Sequence, residues 1–357
     1  MANNHTKEIY EEYLDKKNGY KDFAESLKHL ICRLLDSEGL RYHSIDCRVK
    51  EDESLKKKIV KKGKYSSLSD ITDIAGIRII TYYNDDVDEI AKLIEKEFSV
   101  DEDNTIDKRK ALDPDRFGYL SLHYVIEMSE ERLKLLEYYN LSGYKAEVQI
   151  RSILQHTWAE IEHDLGYKSI NGIPHNIRRD FSRLAGLLEL ADKEFKEIRD
   201  KLKLYSEDVT KQIKQPSTTI LIDKISIEAY YKSNILVKEL SYEIIKLGDG
   251  VMIEAEENNF AVYGEHLKDA GFNSIQEIDN ELRNSKDLCL KIARIVLEGN
   301  DFMGNDVNSA IGLFYLCYVK VIKSKSKERV LNYLDTLNDT FDNEDFAESL
   351  MSAVKEF

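Results

Sequence analysis

Two acidic residues stand beside short apolar segments that have the composition of β-strands. Asp73 comes just before residues 75–82, and Glu147 lies within residues 144–151. Carboxylates on neighbouring strands of a mixed sheet can jointly hold Mg²⁺, a hard cation that prefers oxygen ligands. With a nucleoside triphosphate bound, such a metal assists phosphoryl transfer. A solvated acid at a strand edge is the alternative for each residue taken alone.

Basic and hydroxyl groups precede the first of these segments in the sequence. Arg48 and Lys50 are two residues apart and share one face of a predicted strand. Ser54 and Lys58 are four residues apart and share one face of the next predicted helix. Four such groups could hold a triphosphate, Arg as a planar fork and Lys as a point charge. A solvated basic helix is the alternative, because Lys58 ends a run of three lysines.

The segment 117–123 combines a glycine with an aromatic residue. Gly118 allows a tight turn of the backbone, and Tyr119 can present a flat face on which a base stacks. Tyr119, Ser121 and His123 share one face of a predicted strand. A strand with an ordinary amphipathic face is the alternative.

Apolar periodicity predicts that these residues lie in an α/β core. Residues 5–37 are predicted to form two helices, the second of which ends at Gly39. The remaining predictions are strands over 42–49, 75–82, 119–128 and 144–151, and helices over 51–62, 85–98, 152–165 and from 174 to about 205.

Composition divides the chain further. Residues 211–219 (KQIKQPSTT) lack periodicity and are predicted to link a domain over 1–210 to a helical region over 220–357. Residues 41–64 carry a net charge of +5, whereas residues 251–357 carry −9. The two ends therefore face different partners or each other.

The overall composition excludes several classes of protein. The 357 residues carry a net charge of −15, which argues against wholesale binding to nucleic acid. No apolar run approaches the roughly 20 residues of a membrane helix, so that no membrane partner is expected. The four cysteines form no CxxC motif and favour a cytoplasmic location.

Five motifs occur in an order that is more informative than any one of them. They are RVKEDESLKKK (48–58), DITDIAGIRII (70–80), FGYLSLHYV (117–125), AEVQIRS (146–152) and HTWAEIEHDLGYK (156–168). With these motifs the chain resembles the RelA/SpoT synthetases, which make the alarmone (p)ppGpp. The resemblance covers about residues 20–200 and says little about residues 215–357.

The resemblance implies a nucleotidyltransferase-like α/β fold, a mixed sheet flanked by helices, followed here by an all-helical C-terminal region. It implies a GTP/GDP pyrophosphokinase that uses Mg²⁺. Such an enzyme transfers the β,γ-pyrophosphate of ATP to the ribose 3′-hydroxyl of GDP or GTP. Family members often form oligomers, so a homo-oligomer is a further expectation.

The resemblance also implies roles for individual residues. Asp73 and Glu147 would hold Mg²⁺, and Glu147 would draw the proton from the attacking hydroxyl. The residues implied to bind ATP are Arg48, Lys50, Ser54, Lys58 and Arg78, and those implied to bind the acceptor are Tyr119, His123, Gln149 and Arg151.

One departure from the family pattern bears on the acceptor. Asp115 and Phe117 stand where members that use nucleotides have Lys and a polar residue, and an acid there would repel acceptor phosphates. The alternative is a toxin that pyrophosphorylates the 3′ end of tRNA and blocks translation. Residues 41–64 would then bind the tRNA, and the acidic C-terminal region would restrain the toxin.

Overall fold

The structure, a computed structural model, describes residues 2–63, 65–107, 121–165, 175–214, 219–298, 302–337 and 343–352. It divides into two compact units, Met1–Arg199 and Asp200–Phe357. In the described ranges, no helix is both long enough and apolar enough to cross a membrane.

The first unit alternates helices and strands, as the apolar periodicity predicts. Its elements are α1 (Ala2–Ser37), β1 (Ser44–Val49), α2 (Asp52–Lys62), β2 (Ala75–Thr81), α3 (Asn84–Glu97), β3 (Phe98–Val100), β4 (Ile106–Asp107), β5 (Leu122–Met128), α4 (Glu130–Leu133), β6 (Ala146–Ser152), α5 (Ile153–Asp164) and α6 (His175–Ile213).

The strands form one mixed sheet in the order β1–β2–β6–β5–β3, and β4 pairs with β5. The central pair, β2 and β6, is parallel, and its register places Gly76 opposite Glu147. The pairs that flank it, β1 with β2 and β5 with β6, are antiparallel. The mixed sheet flanked by helices is therefore confirmed, while the short strands β3 and β4 carry too little pattern to be predicted.

Residues 5–37 form one helix, α1, and the prediction of two helices is wrong. The helix buries an apolar row that includes Tyr13, Phe23 and Leu27, each of them 0% exposed. Burial of one such side chain contributes about 1.5–3 kcal/mol. That gain outweighs the cost of about 1 kcal/mol for a glycine inside a helix, here Gly19.

Helix α2 ends where the sequence predicts. Gly63 adopts the left-handed conformation with φ 56°, and its N–H donates to the Ile59 carbonyl oxygen at 3.0 Å. Glycine adopts this conformation without the steric cost of a Cβ. The cap fixes the length of the helix that carries Ser54 and Lys58.

The second unit is mainly helical, which confirms that prediction. The elements that follow α6 are α7 (Lys224–Ser233), α8 (Ile235–Leu247), β7 (Val251–Ile253), α9 (Glu257–Asp269), α10 (Ile275–Leu297), β8 (Asp306–Asn308), α11 (Ile311–Ile322), α12 (Lys327–Thr336) and α13 (Asn343–Ser352). The region is not all-helical, because β7 and β8 pair in parallel. Three-residue strands show no periodicity from which a sheet could be predicted.

The second unit also has a hydrophobic core of its own. Leu240, Ile292 and Leu316 are 0% exposed there and come from three different helices. The division between the units falls at residues 199 and 200, inside α6, and residues 211–213 of the proposed linker are helical. The domain limits 1–210 and 220–357 stay a prediction.

The close packing of α1 on Tyr144 can be tested through Gly19. A Cβ at this position would lie 2.7 Å from Tyr144 Cζ, which is closer than side chains pack. We expect Gly19→Ala to lower the free energy of unfolding by about 1–3 kcal/mol, although alanine favours helix. Urea unfolding measures the change.

Asn18→Ala is the matched control, because Asn18 is an exposed neighbour in the same helix. It should leave stability unchanged or raise it slightly. Equal effects of the two substitutions would contradict the packing of Gly19 against Tyr144.

Candidate functional site

The polar side chains singled out in the sequence gather on one face of the sheet. The register aligns Arg48, Gly76 and Glu147 in one row across β1, β2 and β6. The next row runs through Arg78 and Gln149 to His123 on β5. Paired residues of neighbouring strands point to the same face, so that the two rows form one polar surface.

Alternation along the strands explains why this face is polar. Ile77 and Ile79 on β2 and Val148 and Ile150 on β6 are at most 1% exposed, and they belong to the core on the opposite face. Residues between them must point the other way. Burial of the apolar set therefore aims the polar set at the site.

Asp73 lies in the turn before β2, between two lysines. Its Oδ2 is 3.1 Å from Lys50 Nζ, and its Oδ1 is 2.6 Å from Lys58 Nζ. The second contact lacks hydrogen-bond geometry, so it is a contact between charges. All three side chains are half-buried, which strengthens their attraction relative to exposed ion pairs.

The backbone of Lys50 is fixed on both sides. Its N–H donates to the Ile74 carbonyl oxygen at 2.8 Å, and its own carbonyl oxygen accepts from Tyr13 Oη at 2.6 Å. These bonds hold the residue that follows β1 beside the turn that precedes β2. Lys50 and Asp73 are thereby brought together.

Glu147 is held by a chain of hydrogen bonds on the same face. His123 Nδ1 lies 3.0 Å from Glu147 Oε1, and Gln149 Nε2 donates to that oxygen at 2.5 Å. On the far side of the imidazole, His123 Nε2 lies 2.6 Å from Ser121 Oγ. Arg151 donates to Gln149 Oε1 and completes the chain. His123 and Gln149, the two residues that contact the Glu147 carboxylate, thus each have a fixed orientation.

The environment keeps Glu147 ionised. Burial alone raises the pKa of this carboxyl, but the hydrogen bonds from His123 and Gln149 outweigh it. Electrostatic interactions with His123 and Lys58 act in the same direction, and the pKa falls to about 2. At neutral pH Glu147 is therefore a carboxylate, the form that a metal requires as a ligand.

Arg78 has a partner that the sequence did not reveal. Its Nη1 lies 3.1 Å from Glu160 Oε1 on α5. His156 lies one turn earlier on α5, and burial lowers its pKa, as do the charges of Arg151 and Arg78. An exposed glutamate in a helix has no pattern that distinguishes Glu160 from its neighbours, so only the tertiary structure identifies it.

The remaining predicted residues differ in placement. Arg48 lies over Gly76, where its Cγ would be 3.5 Å from an added Cβ, whereas Ser54 is exposed on α2. Tyr119, Asp115 and Phe117 lie outside the described residues. A cavity of about 200 Å³ is lined by Asp46, Cys47, Arg48, Asp73, Gly76, Ile77, Arg78, Glu147 and Gln149.

The donors around this cavity suit Mg²⁺. In the described part of the chain, no cluster of three or more His, Cys, Asp and Glu side chains could hold a metal. Mg²⁺ does not need one, because it usually takes one or two carboxylates and completes its shell with phosphates and water. Asp73 and Glu147 line the same cavity, and Asp73 Oδ1 is buried without a hydrogen bond.

Carboxylates and cations on one face of a mixed sheet suit an enzyme that acts on phosphate groups. A family model described as a region found in RelA / SpoT proteins matches residues 47–172. This segment includes every residue of the polar surface described above.

Named relatives extend the match. GTP pyrophosphokinase YwaC of Bacillus subtilis (strain 168) is 33% identical over 151 residues, which cover 41% of this chain and 68% of that protein. GTP pyrophosphokinase YjbM of the same organism is 30% identical over 159 residues, which cover 43% and 69%. The chain belongs to the RelA/SpoT family of enzymes.

Solved structures of small alarmone synthetases are also similar to the chain. The crystal structure of the small alarmone synthetase 1 from Bacillus subtilis is 24% identical in sequence, with a TM-score of 0.45. The alignment covers 54% of this chain and 98% of that one.

The contacts of Glu147 predict how stability depends on pH. The folded-state pKa of about 2 lies below the unfolded value of 4.5, so the carboxylate stabilises the fold above pH 4.5 and loses this effect as the pH falls towards 2. The full contribution is about 3 kcal/mol, and roughly 2 kcal/mol is lost by pH 3.

Thermal unfolding of wild type and Glu147→Gln at pH 6 and pH 3 measures this effect. The Tm difference between the two proteins should shrink at pH 3 by about 4–8 °C. Glu102→Gln, at an exposed position, is the control and should show no such change. A constant difference for Glu147→Gln would show that these contacts do not hold the carboxylate ionised.

Proposed function

We propose that this enzyme transfers the β,γ-pyrophosphate of ATP to the ribose 3′-hydroxyl of GDP or GTP and so makes (p)ppGpp. One observation carries the proposal. In a member of the RelA/SpoT family, the carboxylates of Asp73 and Glu147 line one cavity on the sheet. Arg48 and Arg78 line the same cavity, and Lys50 and Lys58 contact Asp73. The names of the relatives, both GTP pyrophosphokinases, support the same activity.

The cations around the cavity are suited to the triphosphate of ATP. Lys50 and Lys58 supply mobile point charges, while Arg78 supplies a planar fork held by Glu160. Arg48 lies over Gly76, where its flat guanidinium could stack on adenine. Ser54 is exposed on the same helix as Lys58 and could donate to a phosphate.

Asp73 and Glu147 would hold Mg²⁺, which would neutralise charge on the phosphates during transfer. The low pKa of Glu147 suits a ligand, and it also makes the carboxylate a weak base. Glu147 would therefore draw the proton from the attacking hydroxyl through its position, which His123 and Gln149 fix. In this assignment the position of Glu147 beside the hydroxyl compensates for its weak basicity.

The acceptor would lie beside β5 and β6. Gln149 and Arg151 lie on the same face as Glu147 and are linked by a hydrogen bond. Both ring nitrogens of His123 lie within hydrogen-bond distance of this chain's own groups, so His123 would act on the acceptor through Glu147. The guanine of the acceptor would stack on Tyr119.

A transfer assay tests the acceptor. Purified protein receives ATP labelled at the β- or γ-phosphate together with Mg²⁺, and GDP, GTP and bulk tRNA are offered in parallel. We expect label in the guanosine nucleotides and release of AMP. No described contact favours a tRNA acceptor, and label at the tRNA 3′ end would overturn the choice of GDP and GTP.

Asp73→Asn tests the metal assignment. The substitution keeps the volume of the side chain but removes the charge, and we expect transfer to fall by at least about a thousandfold. Asp103→Asn, in an exposed turn of the same unit, should retain wild-type activity. Residual transfer by Asp73→Asn within tenfold of wild type would contradict the assignment.

A further inference from the structure

The ammonium groups of two lysines contact the Asp73 carboxylate, which would have to bind the metal. We propose that the ammonium groups of Lys50 and Lys58 block the metal-binding oxygens of Asp73 until a nucleoside triphosphate binds. They then pair with the phosphates instead, and Asp73 is free to bind the metal. The inference rests on the proposed function. Its consequence is that divalent metal and triphosphate strengthen each other's binding to this site.

The geometry makes the two states of Asp73 exclusive. Lys50 Nζ faces Oδ2 at 3.1 Å, and Lys58 Nζ faces Oδ1 at 2.6 Å, so an ammonium stands in front of each carboxylate oxygen. A magnesium ion binds such an oxygen at about 2.1 Å. The ion and the ammonium groups would repel each other at that distance, and the lysines must leave for the metal to bind.

The contact at Oδ1 is suited to exchange. This oxygen is buried and accepts no hydrogen bond of good geometry, although Lys58 lies beside it. The lysine therefore neutralises the charge without using the directional capacity of the oxygen. A metal ion could replace it without breaking a well-formed hydrogen bond.

The lysines can move while their backbones stay in place. Hydrogen bonds to Ile74 and from Tyr13 fix the backbone of Lys50, and α2 fixes that of Lys58. Each ammonium sits on a flexible four-carbon stem, so rotation of the side chain is sufficient. Lys58 also contributes to the low pKa of Glu147, which places it near both carboxylates.

Charge explains why neither ligand binds well alone. Metal without triphosphate adds positive charge to a site that already contains Lys50 and Lys58. Triphosphate without metal must draw both lysines away from Asp73 and leave that half-buried carboxylate uncompensated. When both ligands bind, every charge has a partner. Linkage requires the coupling to be reciprocal.

The test measures Mn²⁺ binding by electron paramagnetic resonance, with the full chain and without catalysis. Lys58→Gln should bind Mn²⁺ about tenfold more tightly than wild type when no nucleotide is present, because one competing charge is gone. Lys57→Gln removes the same charge from an exposed neighbour on α2 and should change affinity less than twofold. Lys50→Gln is a second variant that should behave as Lys58→Gln.

The α,β-methylene analogue of ATP, in which the α–β bond is not broken, completes the test. The analogue should raise the affinity of the wild-type protein for Mn²⁺. It should raise the affinity of Lys58→Gln by a smaller factor. If Mn²⁺ binding depends on Asp73 but both lysine variants leave it unchanged or weaken it, the exchange is wrong while the metal assignment stands. If Mn²⁺ fails to bind any variant with or without the analogue, both the exchange and the metal assignment fail.

Discussion

The parallel pairing of β2 with β6 is the constraint on which the candidate site depends. Its register sets Gly76 opposite Glu147 and Arg78 opposite Gln149. A shift by one residue would turn every polar side chain of one strand into the core. The buried isoleucines and valine on the opposite face prevent such a shift, because moving them to the polar face would expose them. Hydrophobic burial thus fixes the positions of the polar groups on the other face of the sheet.

The polar face is stable because its charges compensate one another. Asp73 lies between Lys50 and Lys58, and Arg78 pairs with Glu160. His123 and Gln149 contact Oε1 of Glu147. A half-buried charge without such a partner would be costly. The same groups are those that phosphates and a divalent metal would bind. Side chains that pair with one another in the absence of ligands can therefore pair with the substrate and the metal instead.

The family match covers part of the first unit and none of the second. The match to the RelA/SpoT model, residues 47–172, lies within the first unit. The second unit has its own helical core and its own small sheet. The proposed chemistry therefore belongs to the first unit, and the second is a separate folded element whose excess of acidic residues distinguishes it from the basic segment near the site.

The sequence by itself determined the four longer strands, most helices of the first unit and the identity of the charged residues, because alternation and helical periodicity are local properties. It also indicated the family, through motifs that keep their order. It failed at α1, where packing of one apolar face overrides the predicted break. Only the tertiary structure decided the partners: Glu160 for Arg78, Glu147 for His123, and two lysines for Asp73. Those pairings depend on register and on turns between distant segments, which local patterns do not encode.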